Sequence, residues 1–213
     1  MKLNKKLDFY EEILNSITHF IGFVLSIIAL IILIRKGIKY DEISYVVGFS
    51  IYGTSLIILY MASTLYHSVP KGKIKDKLKI FDHSAIYVLI AGSYTPIALL
   101  VLKGKTGIIL LITVWSIALF GVIFKLFFSK KFKVLSTIMY LIMGWLVVFA
   151  IKPLIHNLNS ISLAFLVAGG ITYSLGTIFY LWKSLKFNHA IWHLFVLGGS
   201  VCHFFSMYYI VGA

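Results

Sequence analysis

The chain has 213 residues, of which 60% are hydrophobic and 13% charged, with a formal net charge of +13. So apolar a composition excludes a soluble globular domain. The positive charge does not point to nucleic acid, because the basic residues sit in short segments between apolar runs and offer no continuous face.

Apolar runs of about 18 residues or more recur along the chain, each long enough for a ~30 Å hydrocarbon core. In order they predict seven transmembrane helices over 17–34, 43–66, 80–101, 107–128, 134–151, 161–182 and 189–211, an all-α membrane bundle in a single domain over 1–213. The first run follows a short amphipathic stretch, Phe9 to Asn15, and is too long for a signal-peptide core, so it reads as a retained helix. Between the second and third runs, the loop Pro70 to Lys79 interleaves five lysines with apolar residues. It is a solvated topological signal and also suits contact with anionic lipid headgroups.

The third run contains Pro96, which predicts a kink, with Gly92 and Ser93 nearby. Only Lys103 to Thr106 separate it from the fourth. His156 falls in the loop after the fifth run and is expected to be solvated. An odd number of spans and the absence of paired interrupted helices argue against a two-halves transporter. Cys202, the single cysteine, lies in the last run and makes no intramolecular disulfide.

Fourteen of the 20 lysines and arginines fall on the side of the N-terminus and the even-numbered loops. The positive-inside rule therefore predicts a cytoplasmic N-terminus and an outward C-terminus in a cell membrane. Arg35 is the single arginine, as expected of a low-GC bacterial genome.

This topology brings three polar clusters to one membrane face. Ser63 and His67 close the second helix, Asp82 opens the third, and His189 and His193 open the seventh. Each pair four residues apart shares a helix face, about 6 Å apart along the axis. Two imidazoles at this spacing form a common half-site for a metal, and His67 is placed to supply a third ligand, leaving a fourth position for water. Asp82 is expected to be the one carboxylate at the edge of a span at this depth, suited to orient that water and accept its proton. Ser63 would support the water, the substrate carbonyl or an imidazole. Each residue alone has a simpler reading. The histidines could be interfacial, Asp82 could cap its helix, and Ser63 could be a packing serine. His19 could line the same cavity. His83 points about 100° away from Asp82, and His203 lies about 15 Å deeper than His193; both read as structural.

The segments Ala62-Ser63-Thr64-Leu65-Tyr66-His67-Ser68, Phe81-Asp82-His83-Ser84-Ala85-Ile86-Tyr87, Ala91-Gly92-Ser93-Tyr94-Thr95-Pro96 and His189-Ala190-Ile191-Trp192-His193 resemble the hemolysin III family. That family belongs with the progestin and adipoQ receptors and is distantly similar to the alkaline ceramidases. The resemblance implies zinc held by His67, His189 and His193, a water between the metal and Asp82, and Ser63 close by. Three functions are then in competition: a zinc-dependent hydrolase of lipid amide or ester bonds, a cytolytic pore-former, and a non-catalytic, receptor-like regulator in which zinc only staples helices. The first takes Asp82 and Ser63 as catalytic residues and membrane lipids as partners.

Overall fold

The computed structural model describes residues 2–128 and 132–210, with side chains from Leu7 onward. Among them are seven helical segments long and apolar enough to cross a membrane: Leu7–Tyr40, Ile43–Ser68, Lys73–Leu102, Gly104–Phe128, Lys133–Asn157, Ser160–Leu181 and Asn188–Tyr208. The described secondary structure is helical throughout. The α-helices are α1 (Lys2–Gly37), α2 (Ile43–Ser68), α3 (Lys73–Pro96), α4 (Gly104–Phe128), α5 (Lys133–Gly144), α6 (Ile151–Asn157), α7 (Ser160–Leu181) and α8 (Asn188–Tyr208). Val211, the end of the predicted seventh span, lies outside the described residues.

The expected spans are all present, but three differ from the hydropathy reading. First, α1 begins at Lys2 rather than near residue 17. Residues 2–16 contain no proline or glycine and are rich in Lys, Leu and Glu, which favour helix; their charges lower hydropathy without breaking the backbone. Second, the lysines expected in a loop largely belong to α3, which starts at Lys73 after Gly72. Asp82 therefore sits in the third turn and is not a helix cap.

The third difference is the fifth span, which is broken. A 3₁₀ stretch, Leu146–Ala150, separates α5 from α6. Freed backbone groups need partners in hydrocarbon, and Tyr94 supplies them. Its hydroxyl donates to the Gly144 carbonyl at 2.7 Å and accepts from the Val147 amide at 2.9 Å. His156 is exposed as expected, but it lies on α6 rather than in a loop.

Pro96 marks a change of helix type, with α3 passing into the π-helical stretch Ile97–Leu102. A tight turn follows, in which Lys103 and Gly104 take positive φ values of 42° and 54°. Asn157 Nδ2 donates to the Val101 carbonyl at 2.9 Å, which ties this turn to α6.

Burial divides the helices. The apolar window of α3 is 78% buried, against 28% for α4 and 22% for α7. The α4 surface carries exposed Ile109, Ile112, Phe120 and Phe127, as lipid contact requires. Close approach of α2 and α3 depends on Gly92, where a Cβ would fall 2.3 Å from Ser55 Oγ. The chain packs mainly in order, α1 on α2, α2 on α3, α3 on α4 and α7 on α8; α8 also packs on α1. That closure brings the first turns of α8 beside the N-terminal part of α1, the end of α2 and the early turns of α3. A serine at the centre pins it, since Ser200 Oγ on α8 accepts from Tyr60 of α2 at 2.7 Å and lies 2.7 Å from the Tyr173 hydroxyl of α7.

Candidate metal centre

His67 in the last turn of α2 and His189 and His193 in the first turns of α8 come together, with one nitrogen from each within 4.8 Å of the others. His67 Nε2 and His189 Nε2 are 3.3 Å apart. Four ligands held tetrahedrally at ~2.0–2.1 Å lie roughly 3.3–3.4 Å from one another, so this pair already has the spacing a zinc ion needs. The other separations within the cluster are no more than 4.8 Å.

The opposite nitrogens are held by α1. His67 Nδ1 lies 3.0 Å from Glu12 Oε2 and 3.4 Å from Asn15 Nδ2. A carboxylate on Nδ1 keeps the proton there and leaves the Nε2 lone pair facing inward. His193 Nδ1 donates to the Asn15 carbonyl at 3.2 Å, which directs its Nε2 inward in the same way. The His189 backbone amide donates to Glu11 Oε1 at 3.0 Å, fixing the first turn of α8 against α1. His19 stacks on His193 with ring centroids 3.5 Å apart, and neither of its nitrogens has a partner. Lys75 completes the array by donating to Glu12 at 2.7 Å.

The expectation that no carboxylate other than Asp82 reaches this depth is therefore overturned, because Glu11 and Glu12 come to the histidines from α1. Sequence reasoning began the first span at residue 17 and left them outside. A signal was available: Glu12, Asn15 and His19 are spaced i, i+3 and i+7, one face of a continuous helix.

Asp82 and Ser63 meet on the other side of the histidines. Both are buried, at 7% and 1% exposure. Ser63 Oγ faces the Asp82 carboxylate without closing a hydrogen bond, and His67 is within electrostatic range of Asp82. Both residues line a cavity of about 180 Å³ together with His19, His83, His189 and His193. The rest of its wall is mostly apolar, with Leu89, Ile97, Val148 and Leu154 among the residues reaching away from the histidines, and His203 lies deep in it. From Asp82 to Ile97 on α3 the lining covers about 22 Å of helix rise. The structure thus gathers all five sequence-predicted residues, with His19 and His83 in the same wall.

The arrangement defines a class: a multi-pass membrane protein with a largely buried three-histidine cluster, able to hold a metal ion, at the end of a long apolar cavity. Comparison with known proteins makes the class specific. The model of the "Haemolysin-III related" family matches residues 7–204, and the chain belongs to that family. Relatives include "Hemolysin-3 homolog" of Bacillus subtilis, 55% identical over 92% of both chains. "Hemolysin-3" of Bacillus cereus is 54% identical over 94% of this chain and 92% of the relative. The human "Monocyte to macrophage differentiation factor" is 30% identical over 93% of this chain and 84% of its own. The Bacillus relatives fit the bacterial membrane protein expected from the sequence. No solved structure matches.

Proposed function

We propose that this protein is a zinc-dependent hydrolase of amide or ester bonds in membrane lipids, with its site facing the cytoplasmic leaflet. The carrying observation is the junction of the three-histidine cluster with a long apolar cavity, at a point where Asp82 and Ser63 also meet. His67, His189 and His193 would hold the ion. Zinc bound by three protein ligands supplies a Lewis acid that polarises a carbonyl and makes water a stronger acid.

The chain's own groups supply the rest. Asp82, buried beside His67, orients the attacking water and takes its proton. Ser63 Oγ, which has no internal partner, donates to the carbonyl oxygen as negative charge develops there. Apolar walls take the acyl chain and exclude bulk water. Glu12 and Asn15 hold the imidazoles in the ligating orientation.

The test is a lipidomic screen of purified full-length protein in vesicles, comparing wild type with Asp82→Asn. Release of a fatty acid from one lipid class by wild type alone is the expected result. Identical lipid profiles for a zinc-loaded wild type and the variant would overturn the catalytic reading. The name of the Bacillus cereus relative brings membrane lysis as a second reading. Dye release from liposomes that is undiminished in His189→Ala would favour it.

A further inference from the structure

A second cluster of polar groups lies at the same end of the bundle, one helix face away from the histidines. Lys79 and His83 are four residues apart on α3 and share a face. Lys125 near the end of α4 is linked to them through Tyr140, whose hydroxyl donates to the His83 carbonyl at 2.9 Å, and the charges of Lys79, Lys125 and Lys133, the last at the start of α5, all act on His83. Lys125 is 2% exposed, with its ammonium 5.9 Å from the Tyr140 ring. Lys133 Nζ sits 3.7 Å over the Tyr180 ring and donates to the Tyr180 carbonyl at 2.9 Å.

Charge is what makes this cluster unusual. Ion pairs seen among the described residues all involve Glu12, with Lys75 and His67; none of Lys79, Lys125 or Lys133 meets a carboxylate at pairing distance, and of the three only Lys79 lies within electrostatic range of Asp82. A buried ammonium without a counter-charge is costly in a membrane protein. His83 Nδ1 is buried and unpartnered, so it adds a further unused polar atom. His83, Tyr140 and Tyr180 also line the apolar cavity, so an anion held here would lie beside that cavity.

We infer that Lys79, His83, Lys125 and Lys133 form a binding site for the anionic phosphate headgroup of a membrane lipid, whose acyl chain enters the adjoining cavity. The ammoniums neutralise the phosphate and His83 Nδ1–H donates to one of its oxygens. A lipid is the occupant because the lysines border an apolar cavity in a chain otherwise surrounded by hydrocarbon. If the hydrolase reading holds, the site selects acidic lipids as substrates. Binding itself does not depend on that reading.

Native mass spectrometry of the full-length protein in detergent tests this, with dioleoyl phosphatidic acid and dioleoyl phosphatidylcholine as competing probes. Wild type should retain the acidic lipid about tenfold better. Lys125→Met and Lys133→Met should each lose most of that preference, roughly fivefold or more per lysine. Lys105→Met, an exposed residue at the other end of α4, should behave as wild type. Monodisperse Lys125→Met and Lys133→Met proteins with undiminished preference would overturn the site. Equal losses in Lys105→Met would reduce it to general charge. Complete displacement of the lipid by an equal concentration of inorganic phosphate would make it a site for the free ion.

Discussion

Helix α8 carries three histidines, and its first turns treat them differently from its middle. His189 and His193 lie against α1, where Glu11 holds the backbone of one and Asn15 holds Nδ1 of the other. His203, ten residues on, packs edge-on against Tyr173 with ring centroids 5.3 Å apart, and its Nε2 is buried without a partner. All three line the same cavity. The residue type is the same throughout; what differs is the company, since His67 joins His189 and His193 within 4.8 Å and His203 belongs to no such group among the described residues. A metal site needs several ligands converging on one point, and α8 meets a third imidazole only at one end.

The sharpest way to break this comparison is to remove a ligand from each region. His193→Ala should lower zinc affinity by more than about 100-fold, beyond the cost of an outer-shell change. His203→Ala should leave zinc stoichiometry unchanged when both proteins are measured by plasma mass spectrometry. Equal metal loss in the two would erase the distinction. Next in size is Ser63→Ala, which should keep the metal but reduce lipid turnover about 100-fold, as for loss of one oxyanion donor. Turnover kinetics on metal-loaded protein would check it.

A smaller change addresses the acceptors themselves. Glu12→Gln removes the carboxylate from His67 Nδ1 and should weaken zinc binding about 10-fold, measured by competition with a chelator. An unchanged affinity would mean that Glu12 only pairs with Lys75. The smallest effect belongs to the far region. A Cβ at Gly169 would fall 2.1 Å from His203 Cδ2, so Gly169→Ala should lower stability by about 1–3 kcal/mol. The thermal midpoint should fall, with zinc content intact.

Much of this was legible in the sequence because the membrane imposes simple rules. Seven apolar runs gave seven spans, and the i, i+4 spacing of Ser63 with His67 and of His189 with His193 placed each pair on one face. Asp82 stood out as the one carboxylate expected at that depth, and the family resemblance made the metal zinc. Hydropathy failed where charge and backbone state part company. Lys2 to Ser16 and Lys73 to Lys79 are charged enough to read as loops, yet they are good helix formers and extend α1 and α3. Glu11, Glu12 and Asn15 were missed for that reason alone.

The break after α5 was hidden for the opposite reason. Gly144 to Ala150 lies in a continuous apolar run, and the hydroxyl that satisfies its backbone is Tyr94, fifty residues earlier. No local pattern encodes such a contact. The unpaired lysines at His83 were equally invisible, because Lys125 becomes buried only when α3, α4 and α5 have packed.

The central claim is that His67, His189 and His193 hold one zinc ion with a fourth position open to solvent or substrate. X-ray absorption at the zinc edge, on full-length protein purified without chelator, tests it most directly. The account predicts one zinc per chain, with three imidazole nitrogens and one oxygen at ~2.0–2.1 Å. A folded protein that binds no zinc, or an ion whose shell contains fewer than three imidazoles, would contradict it.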